Sequence, residues 1–202
     1  MTAGRNNVSC LSRDWCTPPK YVNAIRNFFG GTIELDPCSN EHSIVHARVE
    51  FVLPEIDGLR ADWNYRTIFV NPPYGADRQR ETTIRDWLRK CEQAHLKYGA
   101  EVLALVPVAT NTRHWKLHVW GAATAVAFLY DTRLRFLVHG QDSGKGAPMS
   151  CAMVYWGYRY DLFEKVFLRY GAVVDLRRLH GKHVGKEECP GLFEMQREET
   201  AI

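Results

Sequence analysis

Apolar residues recur along the chain with two spacings, one typical of amphipathic helices and one typical of buried strands. Near the N-terminus, four of them fall on one helical face: Tyr21, Ile25, Phe28 and Phe29. We predict that Thr17 caps this helix with Pro18 in its first turn, and that Gly30-Gly31 ends it. Two further helices are predicted from the stripes Ile84, Trp87, Leu88, Cys91, His95 and Leu162, Phe163, Val166, Phe167, Tyr170.

Short apolar runs between these helical stretches predict strands. They are Ile33–Leu35, Thr67–Val70, Val102–Val106, Ala125–Leu129, Cys151–Trp156 and Ala172–Leu176. Val102–Val106 is apolar throughout, which suits a strand covered on both faces. The alternation of strands with helices predicts an open α/β sheet, in which ligands bind at the carboxyl ends of the strands.

Two segments depart from this pattern. His139–Pro148 is rich in glycine and polar residues, which predicts a mobile surface loop. From about His180 onward the chain shows little periodicity, and we expect a frayed tail. The 202 residues show no internal repeat, and a domain typically spans roughly 100–200 residues. We therefore expect a single domain over residues 1–202, with its core at about 13–177.

Composition and charge narrow the class of protein but not its partner. With 46% apolar and 24% charged residues, the chain has the composition of a globular protein and not of a disordered or fibrous one. No apolar run approaches the ~20 residues of a membrane-spanning helix and no apolar signal core opens the chain, so a cytoplasmic protein is expected. The formal charge of +3 permits a nucleic acid as partner without requiring it.

The cysteines and histidines predict neither disulfides nor a metal site. Six cysteines are present, yet no CxxC pair occurs and nothing indicates secretion, so we expect reduced thiols. His180, His183 and Cys189 come nearest to a ligand cluster, but they lack a second cysteine pair.

Candidate chemistry concentrates in Asn71-Pro72-Pro73-Tyr74, directly after the predicted strand Thr67–Val70. The two prolines stiffen the backbone, so that the Pro72 carbonyl can point into a pocket beside the Asn71 amide oxygen. These two acceptors could hold an amino group by both hydrogens and draw its lone pair towards an electrophile. Tyr74 offers a flat face on which a planar base could stack. The alternative is an ordinary turn at the end of a strand.

The tetrapeptide is similar to the catalytic motif of S-adenosylmethionine-dependent methyltransferases that act on exocyclic or amide nitrogens. Further segments occur with it, in this order along the chain: Asp14-Trp15-Cys16-Thr17-Pro18-Pro19, Leu35-Asp36-Pro37-Cys38-Ser39-Asn40, Asp57-Gly58-Leu59 with Trp63, and Arg133-Leu134-Arg135-Phe136. Together they resemble the phage-type Dam family of DNA adenine-N6 methyltransferases, over roughly residues 13–157. The resemblance implies a Rossmann-like class I methyltransferase sheet with helices on both faces, S-adenosylmethionine as cofactor, and DNA as substrate in the cytoplasm of a bacterial host.

The resemblance also implies roles for the residues of the tetrapeptide. Asn71 and Pro72 would hold and polarise the N6 amine of an adenine extruded from the duplex, with Pro73 completing the motif. Tyr74 would stack on the extruded base. Asn71 would also lie next to the cofactor. Because the sulfonium cofactor is itself activated, no covalent nucleophile is implied.

Cofactor contacts are implied at three further segments. Asp36, with Pro37 and Cys38 beside it, would contact the methionine moiety. Thr17 and Pro18 would lie beside the methionine carboxylate. Asp57 would bind the cofactor adenine. Each of these segments also has a local explanation, because Asp36-Pro37 and Asp57-Gly58 are ordinary turn sequences and Thr17 is explained as a helix cap.

The chain departs from the family pattern around the cofactor. Cys38-Ser39-Asn40 stands where a Gly-x-Gly loop is usual, and the stretch between Asp36 and Asn71 is short. The acidic residue that usually binds the cofactor ribose has no clear counterpart. Glu50 is the nearest candidate.

Recognition of a DNA sequence has no dedicated module in this chain. Arg133, Arg135 and the loop around Lys145 are the candidate base readers, and a short or relaxed target sequence is expected. Two other functions stay open at this level. One is a glutamine-N5 methyltransferase acting on a protein, and the other is a non-catalytic nucleic-acid-binding domain on a decayed methyltransferase fold.

Overall fold

The computed structural model of the protein describes residues 15–131, 133–142, 147 and 149–180. The strands in this part of the chain are Trp15–Cys16 (β1), Leu35–Ser39 (β2), Val49–Val52 (β3), Thr67–Val70 (β4), Glu101–Pro107 (β5), Ala125–Leu129 (β6), Leu137–Val138 (β7), Gln141–Asp142 (β8), Cys151–Trp156 (β9) and Gly171–Asp175 (β10). The helices are Pro19–Phe29 (α1), Ile84–Tyr98 (α2), Arg113–Trp115 (α3), which continues as a π-helix over Lys116–Trp120, and Tyr160–Phe167 (α4), with a 3-10 turn at Arg177–Leu179. The predicted α/β class is confirmed, and three predicted strands have the predicted bounds: β4, β6 and β9.

Seven of the described strands form one mixed sheet, in the order β10-β6-β9-β5-β4-β2-β3. The neighbours from β3 to β5 are parallel, whereas β9 runs antiparallel to both β5 and β6. β5 and β6 therefore point in the same direction. The residues that follow β2, β4 and β6 accordingly emerge at one edge of the sheet, which is where ligands bind in open α/β sheets.

Helices cover both faces of this sheet. Leu103 and Leu105 of β5 belong to a buried cluster with α1 and α4, whereas Val102 and Ala104 belong to a second cluster with α2 and the π-helix. Successive side chains of a strand point to opposite faces, so a strand covered on both sides must be apolar at every position. This explains the uninterrupted apolar run of β5 and confirms the prediction that it is buried on both faces.

The strand that carries Asp36 extends further than expected. The sequence predicts a strand over Ile33–Leu35 that runs into Asp36-Pro37, with an ordinary turn there as the alternative, and β2 continues through both residues to Ser39. Parallel pairing on both sides, to β3 and β4, holds the chain extended there. β3 has no counterpart among the predicted strands, because its four residues contain a glutamate and show no long apolar run.

The start of α1 corrects the predicted cap. Pro18 itself, with φ −61° and ψ 147°, occupies the N-cap position, and Pro19 begins the helix. Thr17 is one residue too early to cap, and its buried Oγ1 has no hydrogen-bond partner. The predicted end of the helix is confirmed, since Gly30 adopts the left-handed φ of 76° that a residue without Cβ adopts most readily.

A second, smaller sheet lies beside the main one and corrects the loop prediction in part. In the described chain it has the order β1-β7-β8, with Trp15 opposite Val138 and a tight turn at His139 and Gly140. Residues 139–142 thus belong to a hairpin, although Gln141 and Asp142 are exposed as predicted for a surface segment. Residues 143–146 and 148, and the predicted tail beyond His180, lie outside the described residues.

Candidate active site

Asn71 occupies the position directly after β4, at the carboxyl edge of the sheet. Its Nδ2 donates a hydrogen bond of 2.9 Å to the backbone carbonyl of Trp15. An amide whose nitrogen is held in this way has a defined orientation, and its oxygen accepts no hydrogen bond from the described residues. The structure therefore presents Oδ1 of Asn71 as an available acceptor of fixed direction.

Three aromatic rings surround this asparagine. Trp15 stacks on Phe136, with ring centroids 5.0 Å apart and planes inclined by 11°. Tyr74 meets both rings edge-on, at 5.9 Å from Trp15 and 5.6 Å from Phe136. Its hydroxyl donates to the carbonyl of Leu105 at 3.2 Å, and burial raises the pKa of this phenol well above its usual value. Tyr74 is therefore a neutral, fixed ring, of which part stays accessible.

Asp36 lies one strand away, near the start of β2, and its side chain is almost completely buried. One carboxylate oxygen accepts the backbone N–H of Cys38 at 3.1 Å. Burial raises the pKa of Asp36 to about 7, and the neighbouring charge of Glu50 acts in the same direction. A buried carboxylate without a cationic partner is unfavourable, so this position suits a ligand that carries a positive charge.

A cavity of about 250 Å³ opens where β2 ends, but neither Asp36 nor Asn71 is among the residues that line it. Its walls are Pro37, Cys38 and Ser39 at the end of β2, the end of β3, and Gly58 and Pro73 on the loops that follow β3 and β4. Leu53 and Ile56 also line it, with 41% and 42% of their surfaces exposed. The cavity thus joins the two sequence motifs around Asp36 and Asn71 and offers an apolar wall.

Gly58 is required by the close packing of this cavity. A Cβ atom at this position would lie 1.7 Å from the carbonyl oxygen of Pro37. The carbonyl of Gly58 in turn accepts a 2.8 Å hydrogen bond from Nε1 of the buried Trp63. The Asp57-Gly58-Leu59 and Trp63 pattern is therefore a structural unit that shapes the cavity wall.

Asp57, predicted to bind the cofactor, is engaged by arginines at the rim of the cavity. Its Oδ1 lies 3.2 Å from Nη1 of Arg80, and its Oδ2 lies 3.6 Å from Nε of the exposed Arg60. Arg80 also bonds Asp77 through Nε at 2.7 Å, and it lines the cavity. The structure thus places an ion-paired acid next to Gly58 and Arg80, which line the cavity.

Thr17 and Glu50, the two other cofactor candidates, have different surroundings. Thr17 is 1% exposed, and its hydroxyl oxygen has no hydrogen-bond partner among the described residues, which is unusual for a buried polar atom. Glu50 pairs with Asp36 across β2 and β3 and accepts the backbone N–H of Ala47 at 3.2 Å. An unpartnered buried hydroxyl next to Trp15 and Pro18 is available for a bound ligand.

The thiols near the site are structural and not nucleophilic. Burial and the charge of Asp36 raise the pKa of Cys38, and burial raises that of Cys151 to about 11. A thiol with a raised pKa is protonated at neutral pH and does not attack electrophiles.

Within the described ranges, no group of three or more His, Cys, Asp or Glu side chains could hold a metal ion, and no helix is long and apolar enough to cross a membrane.

Arg133 and Arg135 belong to the segment that carries Phe136 of the aromatic cluster. Leu134 and Phe136 are buried, whereas the two arginines between and beside them are exposed. Both arginines line a second cavity of about 400 Å³, together with Pro18 and Leu137. Lys145, the third predicted DNA contact, lies outside the described residues.

Three residues of the site were not predicted from the sequence. Trp15 contributes its backbone carbonyl, a group that no side-chain pattern reveals. Phe136 contributes an aromatic ring. Its alternation with arginines along the chain is a sequence signal that could have predicted a buried side chain at this position. Arg80 follows the tetrapeptide by only a few residues, but nothing in the sequence shows that its partner is Asp57.

Comparison with known proteins adds an independent observation. The family described as "DNA N-6-adenine-methyltransferase (Dam)" matches residues 6–174. A DNA N-6-adenine-methyltransferase of Haemophilus phage HP1 (strain HP1c1) is 28% identical over 135 residues, which cover 66% of this chain and 72% of the phage protein. No solved structure matches the chain significantly.

Proposed function

The chain belongs to the Dam family of DNA N-6-adenine-methyltransferases, and from this we propose that it transfers a methyl group from S-adenosylmethionine to N6 of an adenine in DNA. The observation that carries the proposal is the orientation of Asn71. Because its Nδ2 is held by the Trp15 carbonyl, its Oδ1 is left to accept from the target amine. Family membership favours DNA over a protein amide as substrate, and the intact tetrapeptide argues against a decayed site.

The described residues fit the cofactor. The ammonium group of the methionine moiety would neutralise Asp36, and the unpartnered hydroxyl of Thr17 would donate to the carboxylate. Pro37 and Cys38 would line the cofactor, with Leu53 and Ile56 as an apolar wall for its adenine ring. When bound, S-adenosylmethionine supplies a methyl group activated by its sulfonium charge.

The role of Asp57 in this proposal is to hold the rim of the cofactor cavity with Arg80. Its Oδ2 has only the exposed Arg60, at 3.6 Å, so it can also accept from the cofactor adenine. Glu50, beside Asp36, is the proposed contact of the ribose.

The chemical step needs orientation and fixed dipoles more than acid or base chemistry. Asn71 Oδ1 and the Pro72 carbonyl would accept both hydrogens of the target amine, so that its lone pair points to the methyl group. Tyr74, fixed by its bond to Leu105 and supported by Pro73, would stack on the base. The base must leave the duplex to reach these groups, because its amine is inaccessible when stacked.

We further propose that the sheet is Rossmann-like, of the class I methyltransferase type, with the methyltransferase core over about residues 13–177. The parallel order β3-β2-β4-β5, followed by the antiparallel β9, supports this assignment. It places Asp36 and Asn71 on adjacent strands, and the cofactor between them.

The decisive experiment is Asn71→Ala, tested for methylation of mixed-sequence DNA with radiolabelled S-adenosylmethionine. We expect the rate of methyl transfer to fall by about a hundredfold or more, because a preorganised dipole at the reacting amine is removed. Cofactor binding, measured by calorimetry, should persist. Asn64→Ala, at an exposed asparagine, is the matched control. Full activity of the Asn71 variant would rule out the proposed role.

A further inference from the structure

The second cavity is lined by Arg135 and Leu137, the two neighbours in sequence of Phe136, which belongs to the aromatic cluster with Trp15 and Tyr74. Phe136 stacks on Trp15, and the next residue, Leu137, pairs with Cys16 in the small sheet and lines the cavity. Trp15 also holds Asn71 through its carbonyl. Phe136 and Trp15 thus connect the lining of this cavity to Asn71.

The cavity is lined by three cationic side chains, Lys20, Arg133 and Arg135, and by two carboxylates, Asp131 and Asp142. Asp131 is engaged by Lys20, at 2.7 Å, and by the hydroxyl of Tyr21, at 2.6 Å. Arg133 donates through Nη1 to the carbonyl of Ala147 at 3.3 Å. In the described part of the chain neither Arg133 nor Arg135 forms an ion pair. Arg135 and the remaining N–H groups of Arg133 can therefore donate to an anion that only accepts hydrogen bonds.

We propose that this cavity binds a backbone phosphate of the DNA, close to the nucleotide that enters the active site. The inference rests on the proposed function and extends it, by assigning Arg133 and Arg135 to the phosphate backbone and not to base edges. A phosphodiester is anionic and presents only acceptors, which matches two unpaired guanidinium groups. Phosphate contacts fix the register of the DNA, so a contact next to the base pocket would set which nucleotide is extruded.

The test uses Arg133→Gln, Arg135→Gln and the double variant, with Arg66→Gln as control. Arg66 is an exposed arginine just before β4, at the opposite edge of the sheet. Binding to fluorescent duplexes of several sequences is measured over a range of salt concentrations. We expect the double variant to bind about tenfold or more weakly, equally for all sequences. The slope of log K against log salt should lessen by about 0.9 for each phosphate that the variant no longer neutralises.

A chemical substitution in the DNA locates the phosphate. Each duplex carries one neutral methylphosphonate in place of a phosphate. The substituted position is varied on either side of an adenine that the protein methylates. At one of these positions the methylphosphonate should weaken DNA binding by the unsubstituted protein as much as the arginine substitutions do. At that position it should not weaken DNA binding by the double variant any further.

Three results would overturn the assignment. Unchanged DNA binding by the double variant would remove the site. A change in sequence preference with an unchanged salt slope would show that the arginines read bases, guanine being the base whose major-groove edge presents two acceptors. Methylphosphonate effects that persist in the double variant would place the phosphate elsewhere. In each case methylation by the unsubstituted protein remains the separate test of the proposed function.

Discussion

A single hydrogen bond decides which way the amide of Asn71 faces. Trp15 offers a carbonyl, which can only accept, so the group facing it must donate. Asparagine satisfies this requirement and still presents an oxygen on its other side. The identity of the residue at position 71 is thus linked to the position of the backbone at Trp15.

Asn71→Asp tests this link. A carboxylate would set an acceptor against the Trp15 carbonyl, and we expect the methylation rate to fall by about ten- to a hundredfold at neutral pH, as for one unsatisfied buried hydrogen bond. Activity should recover in part at lower pH, where the protonated carboxyl group can donate. Asn64→Asp, at an exposed position, should change neither rate nor pH profile. Full activity of the Asn71 variant at pH 8 would contradict the proposed orientation.

Asp36 makes the protein less stable as pH rises. Its pKa is raised from 3.8 to about 7 in the folded state, so the folded protein keeps a proton that the unfolded chain releases. The free energy of unfolding should therefore decrease between about pH 4 and pH 7 because of this residue. It should change little above that range.

Asp36→Asn should remove this dependence. An amide can still accept from Cys38 and carries no charge, so we expect the variant to be more stable than the natural protein at pH 8, by on the order of a few kcal/mol. Urea unfolding at pH 5 and pH 8 measures the difference, which should be small at the lower pH. Glu55→Gln, at an exposed position, is the control. Cofactor binding should weaken in the Asp36 variant alone, and equal stability at pH 8 would show that the carboxyl group is not destabilised.

At the scale of elements, the loop between β4 and α2 is built as a closed unit. Asp77 and Thr82 form an isolated bridge, and Asp77 also accepts the backbone N–H groups of Gln79 and Arg80. The side chain of Arg80 then reaches from this loop to Asp57 on the loop after β3. The loop that follows Asn71–Tyr74 is thereby tied to the wall of the cavity at the end of β2.

Arg80→Gln should loosen this connection. Two acidic side chains lose a partner that is only 18% exposed, so we expect stability to fall by about 1–3 kcal/mol and cofactor affinity to fall with it. Urea unfolding and calorimetry measure the two effects. Arg60→Gln is a closely matched control, because Arg60 contacts the same Asp57 but is 84% exposed, and such pairs contribute little. Equal behaviour of the two variants would show that Arg80 does not connect the loops.

At the scale of the whole molecule, little surface is devoted to recognition of a sequence. In the described part of the chain, the small sheet β1-β7-β8 and the loops at the carboxyl edge are the elements outside the main sheet and its helices. If the arginines beside them bind phosphate, fewer groups remain to read bases. We therefore expect a short or relaxed target sequence.

Mapping methylated adenines after treatment of random-sequence DNA checks this expectation. Methylation should occur in a motif of few base pairs or in several related motifs. The Asn71→Ala variant, treated in parallel, defines the background. A single defined site of six base pairs or more would contradict it.

Local sequence predicts the helices α1, α2 and α4 and most strands of the main sheet, but not α3, β3 or the small sheet β1-β7-β8. The bounds of β4, β6 and β9 were predicted to the residue, because each strand is a short apolar run. The tetrapeptide drew attention as a candidate site because it comes directly after β4. The family of the chain could be inferred from ordered motifs. These are properties of residues close together in the chain.

Only the tertiary structure decided how distant groups combine. The pairing of β2 on both sides extends the strand through Asp36-Pro37 and buries Asp36. The contacts Trp15–Asn71 and Asp57–Arg80 join residues far apart in sequence, and one of them uses a backbone carbonyl that every residue possesses. The spacing of residues along a chain carries no information about such contacts, since they depend on which strands become neighbours and on what burial does to a charge.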